Sequence, residues 1–196
     1  MDYLKIEWPN VKRADIKRIV AYLKKGKVVV LPTDTIYGLH ANADDKHAVN
    51  LVRLIKKSDK DKPLINLVSS LTMAKRYGRI SQKQAAYLSK IWPGPVTVIL
   101  ERKETAARPV NGKNMIGIRL PKNEFLTTII NKLKQPIVST SLNLSGHQAL
   151  KSVESIKGYF RGNKPDLIVD AGKLKATRPS KIIDIRKLNE IKIIRN

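Results

Sequence analysis

Short apolar runs, each of a length suited to one buried strand, alternate along this chain with stretches of helical periodicity. The run at 28–31 is Val-Val-Val-Leu, and the stretch before it places Ile16, Ile19, Val20 and Leu23 on one helical face. Helical stretches separate some of the runs and not others, which favours a mixed sheet over a doubly wound parallel one. The pattern therefore predicts an α/β (mixed α+β) fold, with a twisted, mostly mixed sheet of about seven strands and helices packed against it. We expect one domain over 1–196.

Individual elements can be placed from periodicity and from residues that begin or end helices. Helices are expected at 15–25, 124–134 and 153–160, and after the N-caps Asp44 or Asp45, Ser70 and Ser81. Gly26 is expected to end the first helix in the left-handed conformation. The strands are drawn from 28–31, 64–68, 96–100, 115–120, 136–140, 167–170, 182–185 and 191–194. The polar segment 102–114 reads as a loop, long enough to act as a lid.

The composition excludes several classes of protein. Hydrophobic residues make up 42% of the 196, enough for one packed core, and no apolar run reaches the 18 residues of a membrane span. The absence of cysteine excludes disulfides, thiolate zinc sites and a cysteine nucleophile. Because only three histidines are present, we predict no metal site built from protein ligands. We expect a soluble, cytoplasmic protein with no membrane contact.

Net charge is the second strong constraint, since 39 lysines and arginines against 16 acidic residues give +23. A surface of this charge attracts polyanions, and the same field concentrates ATP and RNA. Charge alone therefore leaves a nucleotide enzyme and an RNA-binding module both open. Aromatic residues make up only 5% of the chain and form no cluster for stacking bases, which disfavours a dedicated single-strand RNA module.

The densest group of polar residues follows an apolar run in the C-terminal half. Pro136, Ile137 and Val138 are followed by Ser-Thr-Ser-Leu-Asn-Leu-Ser-Gly at 139–146. Hydroxyls and amides at the end of a strand lie where an open α/β sheet binds its ligand, and they suit phosphate or carboxylate oxygens. Read alone, the segment is more typical of a Ser/Asn turn with local side-chain-to-backbone bonds. Its partners elsewhere in the chain therefore decide the interpretation.

Five further segments occur in a fixed order around this one. They are Pro32-Thr33-Asp34-Thr35-Ile36-Tyr37-Gly38-Leu39, Lys56 with Lys62-Pro63-Leu64, Trp92-Pro93-Gly94-Pro95-Val96-Thr97, Arg119-Leu120-Pro121 and Pro179-Ser180-Lys181-Ile182-Ile183-Asp184. Together the six segments resemble the YrdC/Sua5/TsaC family of threonylcarbamoyladenylate synthases. The resemblance extends over nearly the whole chain and implies a YrdC/RibB-like sheet in the short, TsaC-type form. The glycine-rich nucleotide cradles of P-loop and Rossmann proteins are absent from the sequence.

The resemblance implies a nucleotidyl transfer, in which L-threonine, bicarbonate and ATP give threonylcarbamoyl-AMP and pyrophosphate. A separate threonylcarbamoyl-transfer complex would then use the product to make N6-threonylcarbamoyladenosine at position 37 of tRNA. Such a site must hold two anions against each other, neutralise charge on phosphate oxygens and keep water from a labile carbamate, so cations and hydroxyls matter most. Mg²⁺ is expected on the ATP phosphates, without a prosthetic group. Direct contact with tRNA or double-stranded RNA stays open.

By the same resemblance, two cations carry the chemistry. These are Lys56, at the end of a helix, and Arg119, whose planar fork suits a phosphate. The predicted threonine contacts are Thr33, Thr35, Tyr37 and Ser141. The predicted nucleotide contacts are Lys56, Lys60, Arg119, Ser139, Asn143, Ser145 and Ser180. The alternatives from the residues alone are an exposed lysine at 56 and an ordinary turn at Pro-Thr-Asp-Thr.

The chain departs from the family pattern at two positions. Ser58 stands where many members have the arginine of Lys-x-Arg, and Asn66 stands where a histidine is common. One expected cation is therefore missing, and Lys57, Lys60 or Lys62 could supply it. The main competing hypothesis is a non-catalytic module of the same fold that binds double-stranded RNA or tRNA. A third is a carbamoyltransferase domain that activates carbamoyl phosphate with ATP.

Overall fold

A computed structural model describes residues 1–57, 64–104, 114–142, 160, 162–174 and 178–196. The strands in this part of the chain are β1 (Asp2–Lys5), β2 (Val29–Leu31), β3 (Gly38–Asn42), β4 (Ile65–Leu67), β5 (Val96–Glu101), β6 (Met115–Arg119), β7 (Ile137–Ser141), β8 (Leu167–Asp170), β9 (Lys181–Asp184) and β10 (Lys192–Arg195). All ten form a single sheet in the order β1-β8-β2-β3-β7-β4-β6-β5-β9-β10. Parallel and antiparallel pairs both occur, which confirms the mixed α/β fold.

The sheet has ten strands within the described residues, so the expected number of about seven was wrong. Two strands, β1 and β3, had not been expected at all. β1 is a mostly exposed Asp-Tyr-Leu-Lys segment at one edge, where parallel pairing with β8 holds it. β3 reads Gly-Leu-His-Ala-Asn and has no β-branched residue, but it lies between β2 and β7 and pairs with both. Pairing on both sides outweighs weak strand propensity in such a segment.

Five helices cover the sheet in the described ranges: α1 (Arg13–Lys24), α2 (Lys46–Lys56), α3 (Leu71–Tyr77), α4 (Gln82–Ile91) and α5 (Glu124–Leu133). The expected N-caps are present, because the side chains of Asp45, Ser70 and Ser81 each accept a backbone N–H from the first turn. Gly26 follows α1 with a φ of 68°, as predicted. The helix expected at 153–160 lies outside the described residues apart from Phe160, and most of the loop at 102–114 does too. None of the helices in this part is long and apolar enough to cross a membrane.

Replacing Ser81 with alanine should lower the free energy of unfolding by about 1 kcal/mol, since this residue caps α4. Its hydroxyl accepts the Gln84 N–H, while the Gln84 side chain accepts the Ser81 N–H, which completes a capping box. Urea unfolding would measure the loss. The matched control is Ser89→Ala in the same helix, because the exposed Ser89 hydroxyl bonds only a carbonyl one turn back. Equal stability of the two variants would show that the cap contributes nothing.

The pairing of the central strands determines which side chains share a face of the sheet. Residues that lie directly opposite each other point to the same side. Apolar residues of α2 pack against the other side, in a cluster with Leu39, Ala41 and Val138. We call the side that carries Ser139 the front face. Its residues in β3, β4, β6 and β7 include Gly38, His40, Asn42, Ile65, Leu67, Gly117, Arg119, Ile137, Ser139 and Ser141.

Candidate active site

The loop between β2 and β3 carries the Pro-Thr-Asp-Thr motif and is tied together by its own hydroxyls. Thr33 Oγ1 accepts the N–H groups of Thr35 and Ile36 at 3.0 and 3.1 Å and donates to the Ile36 carbonyl at 2.7 Å. The Thr33 and Thr35 hydroxyl oxygens are 2.9 Å apart. Both residues are buried. The motif therefore forms a compact turn in which the Thr35 hydroxyl donates to Thr33 Oγ1, because the Thr33 hydroxyl already donates to the Ile36 carbonyl.

Arg119, the last residue of β6, reaches this loop with its guanidinium. Nη2 donates to Asp34 Oδ2 at 2.6 Å in an ion pair, and Nη1 lies 3.4 Å from Thr35 Oγ1. Nε donates to the Gly94 carbonyl at 3.0 Å, in the turn before β5. Burial lowers the pKa of Arg119 from its usual value, and the Asp34 carboxylate acts in the opposite direction. Arg119 is thus held in a fixed position between the loop and the turn, not free in solvent.

Lys56 approaches the same region from the end of α2. Its side chain is buried, and Nζ donates to the Ser141 carbonyl at 2.7 Å. Ser141 pairs with Gly38, the first residue after the loop, and Leu142 N donates to the Tyr37 carbonyl at 3.1 Å. Lys56 and Ser141 are therefore joined to the loop that Arg119 contacts. The burial excludes the interpretation of Lys56 as an ordinary exposed lysine.

Ser180 lies beside the front face and brings a further arginine with it. Its hydroxyl oxygen is 2.9 Å from Thr97 Oγ1, and Arg195 donates to the Ser180 carbonyl from Nε and Nη2 at 3.0 and 2.7 Å. Burial lowers the pKa of Arg195, and the nearby positive charge of Arg119 lowers it further. Sequence reasoning missed Arg195. The register shift between Ile193 and Arg195 breaks the alternation of β10, so no periodicity pointed to it.

His40 was also missed, because a histidine in a short strand gives no motif. It is fully buried on the front face, directly paired with Ser139. Burial lowers the pKa of the imidazole to about 3, so the ring is neutral. Within the described part of the chain neither ring nitrogen makes a hydrogen bond of normal geometry, although the backbone of Val138 and of Leu31 partly offsets the effect of burial on the pKa. A methyl group added at Gly38 would lie 2.8 Å from His40 Nε2, so the glycine leaves room for the ring.

The buried His40 should make the protein less stable as the pH falls. An unfolded histidine binds its proton near pH 6.5, but folded His40 does so only near pH 3. Between these values the unfolded state binds a proton that the folded state does not, so stability is lost on acidification. We expect the contribution from His40 to cost about 2 kcal/mol between pH 7.5 and pH 5.

Urea unfolding of the wild type and of His40→Leu at both pH values would measure this contribution. The difference between the two proteins should grow as the pH falls. His47→Gln provides the control, since His47 is exposed on α2 and should leave the pH dependence unchanged. A pH dependence that persists in His40→Leu would contradict the assignment.

Of the predicted site residues that the structure describes, most lie close together and one stands apart. Thr33, Thr35 and Arg119 form one network, Lys56 and Ser141 adjoin it, Ser139 lies on the front face, and Ser180 is beside Thr97. The Tyr37 hydroxyl instead donates to the Gly172 carbonyl at 2.7 Å and accepts from Ala171 N at 2.9 Å, next to β8. Lys60, Asn143 and Ser145 lie outside the described residues, as does Ser58. The roles of all these residues in binding stay predictions.

Comparison with known proteins identifies the family of this chain. A family model, Sua5_yciO_yrdC, described as telomere recombination, matches residues 21–196. The chain belongs to this family. It is 35% identical over 183 residues to a putative threonylcarbamoyl-AMP synthase of Methanocaldococcus jannaschii, covering 91% of this chain and 84% of that protein. It is 31% identical over 178 residues to the threonylcarbamoyl-AMP synthase of Pyrococcus abyssi, covering 90% of this chain but only 52% of that one.

Solved structures of the Sua5/YciO/YrdC family have the same fold. Escherichia coli YciO superposes with a TM-score of 0.91 at 26% identity, covering the whole of this chain and 96% of that one. P. abyssi Sua5 complexed with L-threonine gives a TM-score of 0.85 at 28% identity, covering 94% of this chain and 54% of that one. The chain thus spans about half the length of the P. abyssi protein and nearly all of YciO. The family resemblance predicted from the six segments is confirmed.

Proposed function

We propose that this chain is a threonylcarbamoyl-AMP synthase, which forms threonylcarbamoyl-AMP and pyrophosphate from L-threonine, bicarbonate and ATP. The observation that carries the proposal is the network of Thr33, Thr35 and Arg119 beside Lys56 and Ser141. In it the buried Arg119 lies against the Thr35 hydroxyl, and the buried Lys56 donates to the Ser141 carbonyl. The family membership and the names of the relatives support the same reaction. The RNA-binding module of the same fold is not favoured, because the relatives are named as synthases.

The threonine would lie against the β2–β3 loop. The Thr35 hydroxyl faces Arg119, and the Ser141 side chain shares the front face with the start of β3. Tyr37 acts here as a support, since its hydroxyl fixes the loop to the residues after β8. Rigid support of this kind holds the substrate amine and carboxylate in one orientation for reaction.

The nucleotide phosphates would lie near the positive side chains. Lys56 and Arg119 are buried. Arg195 lies close enough to Arg119 that the positive charge of Arg119 lowers the pKa of Arg195. Three positive groups around one region offset the charge that grows on the phosphate oxygens as pyrophosphate leaves. Arg195 is thus a candidate for the cation that Ser58 does not supply.

Mg²⁺ would enter this site with ATP. The described residues include no group of three or more His, Asp or Glu side chains that could hold a metal ion. Cations and hydroxyls dominate the donor set instead, which fits a metal carried by phosphate oxygens and bound waters. The ion would screen the phosphate charge, while Lys56, Arg119 and the loop hydroxyls orient the substrates.

Pyrophosphate release tests the proposed reaction directly. The purified protein is incubated with ATP, Mg²⁺, labelled bicarbonate and one of several amino acids. Release should depend on threonine, and label should enter a product that also contains AMP. Serine and valine serve as matched amino acids that lack the methyl or the hydroxyl group. Tight binding of RNA without threonine-dependent release would contradict the synthase and support the binding module.

We also propose that the product passes to a separate threonylcarbamoyl-transfer complex that acts on tRNA. The net charge of +23 supports direct contact with the phosphate backbone of tRNA during this transfer. Binding of labelled tRNA should then weaken steeply between about 50 and 200 mM salt. Binding that does not change with salt would contradict a phosphate-based contact.

A further inference from the structure

Asp34 has one carboxylate oxygen that the structure leaves without a partner. Oδ2 accepts from Arg119 Nη2 at 2.6 Å and from Lys122 N at 3.2 Å. Oδ1 is buried and accepts no hydrogen bond from any part of the protein that the structure describes. A buried carboxylate oxygen that accepts no hydrogen bond lowers the free energy of unfolding, and a donor that reaches it removes this cost. Asp34 lies between Thr33 and Thr35, in the loop already assigned to the substrate.

The chemistry of the substrates indicates which donor would reach Oδ1. This step rests on the proposed function, in which threonine, bicarbonate and ATP meet at the site. Bicarbonate and the ATP phosphates are anions, which a carboxylate repels. The amino group of threonine is the single cationic group among the three substrates, and a hydrogen bond to a charged partner is stronger than one between neutral groups.

We propose that Asp34 Oδ1 accepts an N–H from the α-amino group of L-threonine and so positions the amine that reacts with bicarbonate. The ion pair with Arg119 and the hydrogen bond from the Lys122 N–H fix the orientation of the carboxylate, and so the position of Oδ1. Asp34 therefore positions the nucleophile and discriminates α-amino acids from acids that lack the amino group. Arg119 offsets the cost of burying the negative charge.

A comparison of two ligands on two proteins tests this role. The ligands are L-threonine and (R)-3-hydroxybutanoate, which keeps the carboxylate and hydroxyl groups but lacks the amine. The proteins are the wild type and Asp34→Asn, whose amide oxygen can still accept from Arg119 but which presents an N–H where Oδ1 was. Calorimetry measures the dissociation constant of each ligand in the presence of ATP and Mg²⁺.

The wild type should prefer threonine, and Asp34→Asn should lose roughly ten- to a hundredfold of that preference, as for a hydrogen bond to a charged group. A structural role for Asp34 would weaken both ligands equally and leave the preference unchanged, which would overturn the proposal. No preference in the wild type would overturn it as well. Threonine-dependent pyrophosphate release is measured separately and tests the synthase reaction. If this release is observed but Asp34→Asn keeps the wild-type preference for threonine, the role of Asp34 is rejected and the synthase function stands.

Asp166→Asn is the matched control. Its carboxylate also accepts a backbone N–H, from Val28 at 2.9 Å, and also pairs with a cation, Lys27, at 3.1 Å. It directly precedes β8 and has no part in the proposed site. The preference for threonine should stay at the wild-type value in this variant. A similar loss in Asp166→Asn would show that any weakened carboxylate changes the ratio, which would overturn the specific role of Asp34.

Discussion

Replacing Arg119 with alanine is expected to lower threonine-dependent pyrophosphate release about a hundred- to a thousandfold, as for loss of a group that stabilises the transition state. The guanidinium is nearly fully buried and contacts the loop through Asp34 and Thr35. Its removal takes away both the charge and the contact that orients the loop. The ratio of kcat/KM in the variant and the wild type measures the effect.

Two further variants separate catalysis from folding. Removing Arg119 leaves Asp34 buried without its cation, which costs about 3–5 kcal/mol of stability, so thermal unfolding is measured alongside. Arg119→Lys keeps a charge but loses the planar fork, and it should be folded and roughly tenfold slower than the wild type. Arg186→Ala removes an exposed arginine that pairs with Asp184 and should leave turnover near the wild-type rate. Wild-type turnover in a folded Arg119→Lys protein would contradict the need for the fork.

Replacing Lys56 with methionine is expected to lower turnover about a hundredfold, because it removes a buried positive charge while it keeps the length of the side chain. Lys56 Nζ donates to the Ser141 carbonyl, so the variant also loosens the end of β7. A phosphate contact predicts that the KM for ATP rises more than the KM for threonine. Initial rates over a matrix of both substrates measure the two constants separately.

The control for this charge is Lys46→Met in the first turn of the same helix. Lys46 is exposed, so its removal subtracts the same charge from the protein without touching the site. Its turnover should stay within about twofold of the wild type, since long-range steering is weak at physiological salt. Equal losses of turnover in the two variants would show that the effect comes from net charge and that Lys56 makes no specific contact with the substrates.

The residues that carry a local signal could be predicted from the sequence. Ser70 and Ser81 were identified as N-caps, and Asp45 as one of two candidates with Asp44, because a capping side chain acts within one turn of its own backbone. β2 and β7 were identified because each begins with two apolar β-branched residues. These elements depend on contacts near in sequence, which is what a linear pattern can express.

The features that were missed depend on contacts made only after the sheet forms. β3 is a strand because β2 and β7 pair with it on both sides. Arg195 turns toward the site because of a register shift in β10, and no spacing in the sequence encodes that shift. Similarly, the partner of Asp34 is 85 residues away along the chain. Motif reasoning placed this loop after β2 but gave no reason to select the aspartate between its two threonines.

The contacts that build the site join segments far apart along the polypeptide. Lys56 and Ser141 are 85 residues apart, as are Asp34 and Arg119, and Thr97 and Ser180 are 83 apart. Each contact requires several strands to be in register first, and such non-local pairings form slowly during folding. Substrate binding should therefore be lost in the same cooperative transition as the tertiary structure. A fragment cut between Asp34 and Arg119 would hold only disconnected pieces of the pocket.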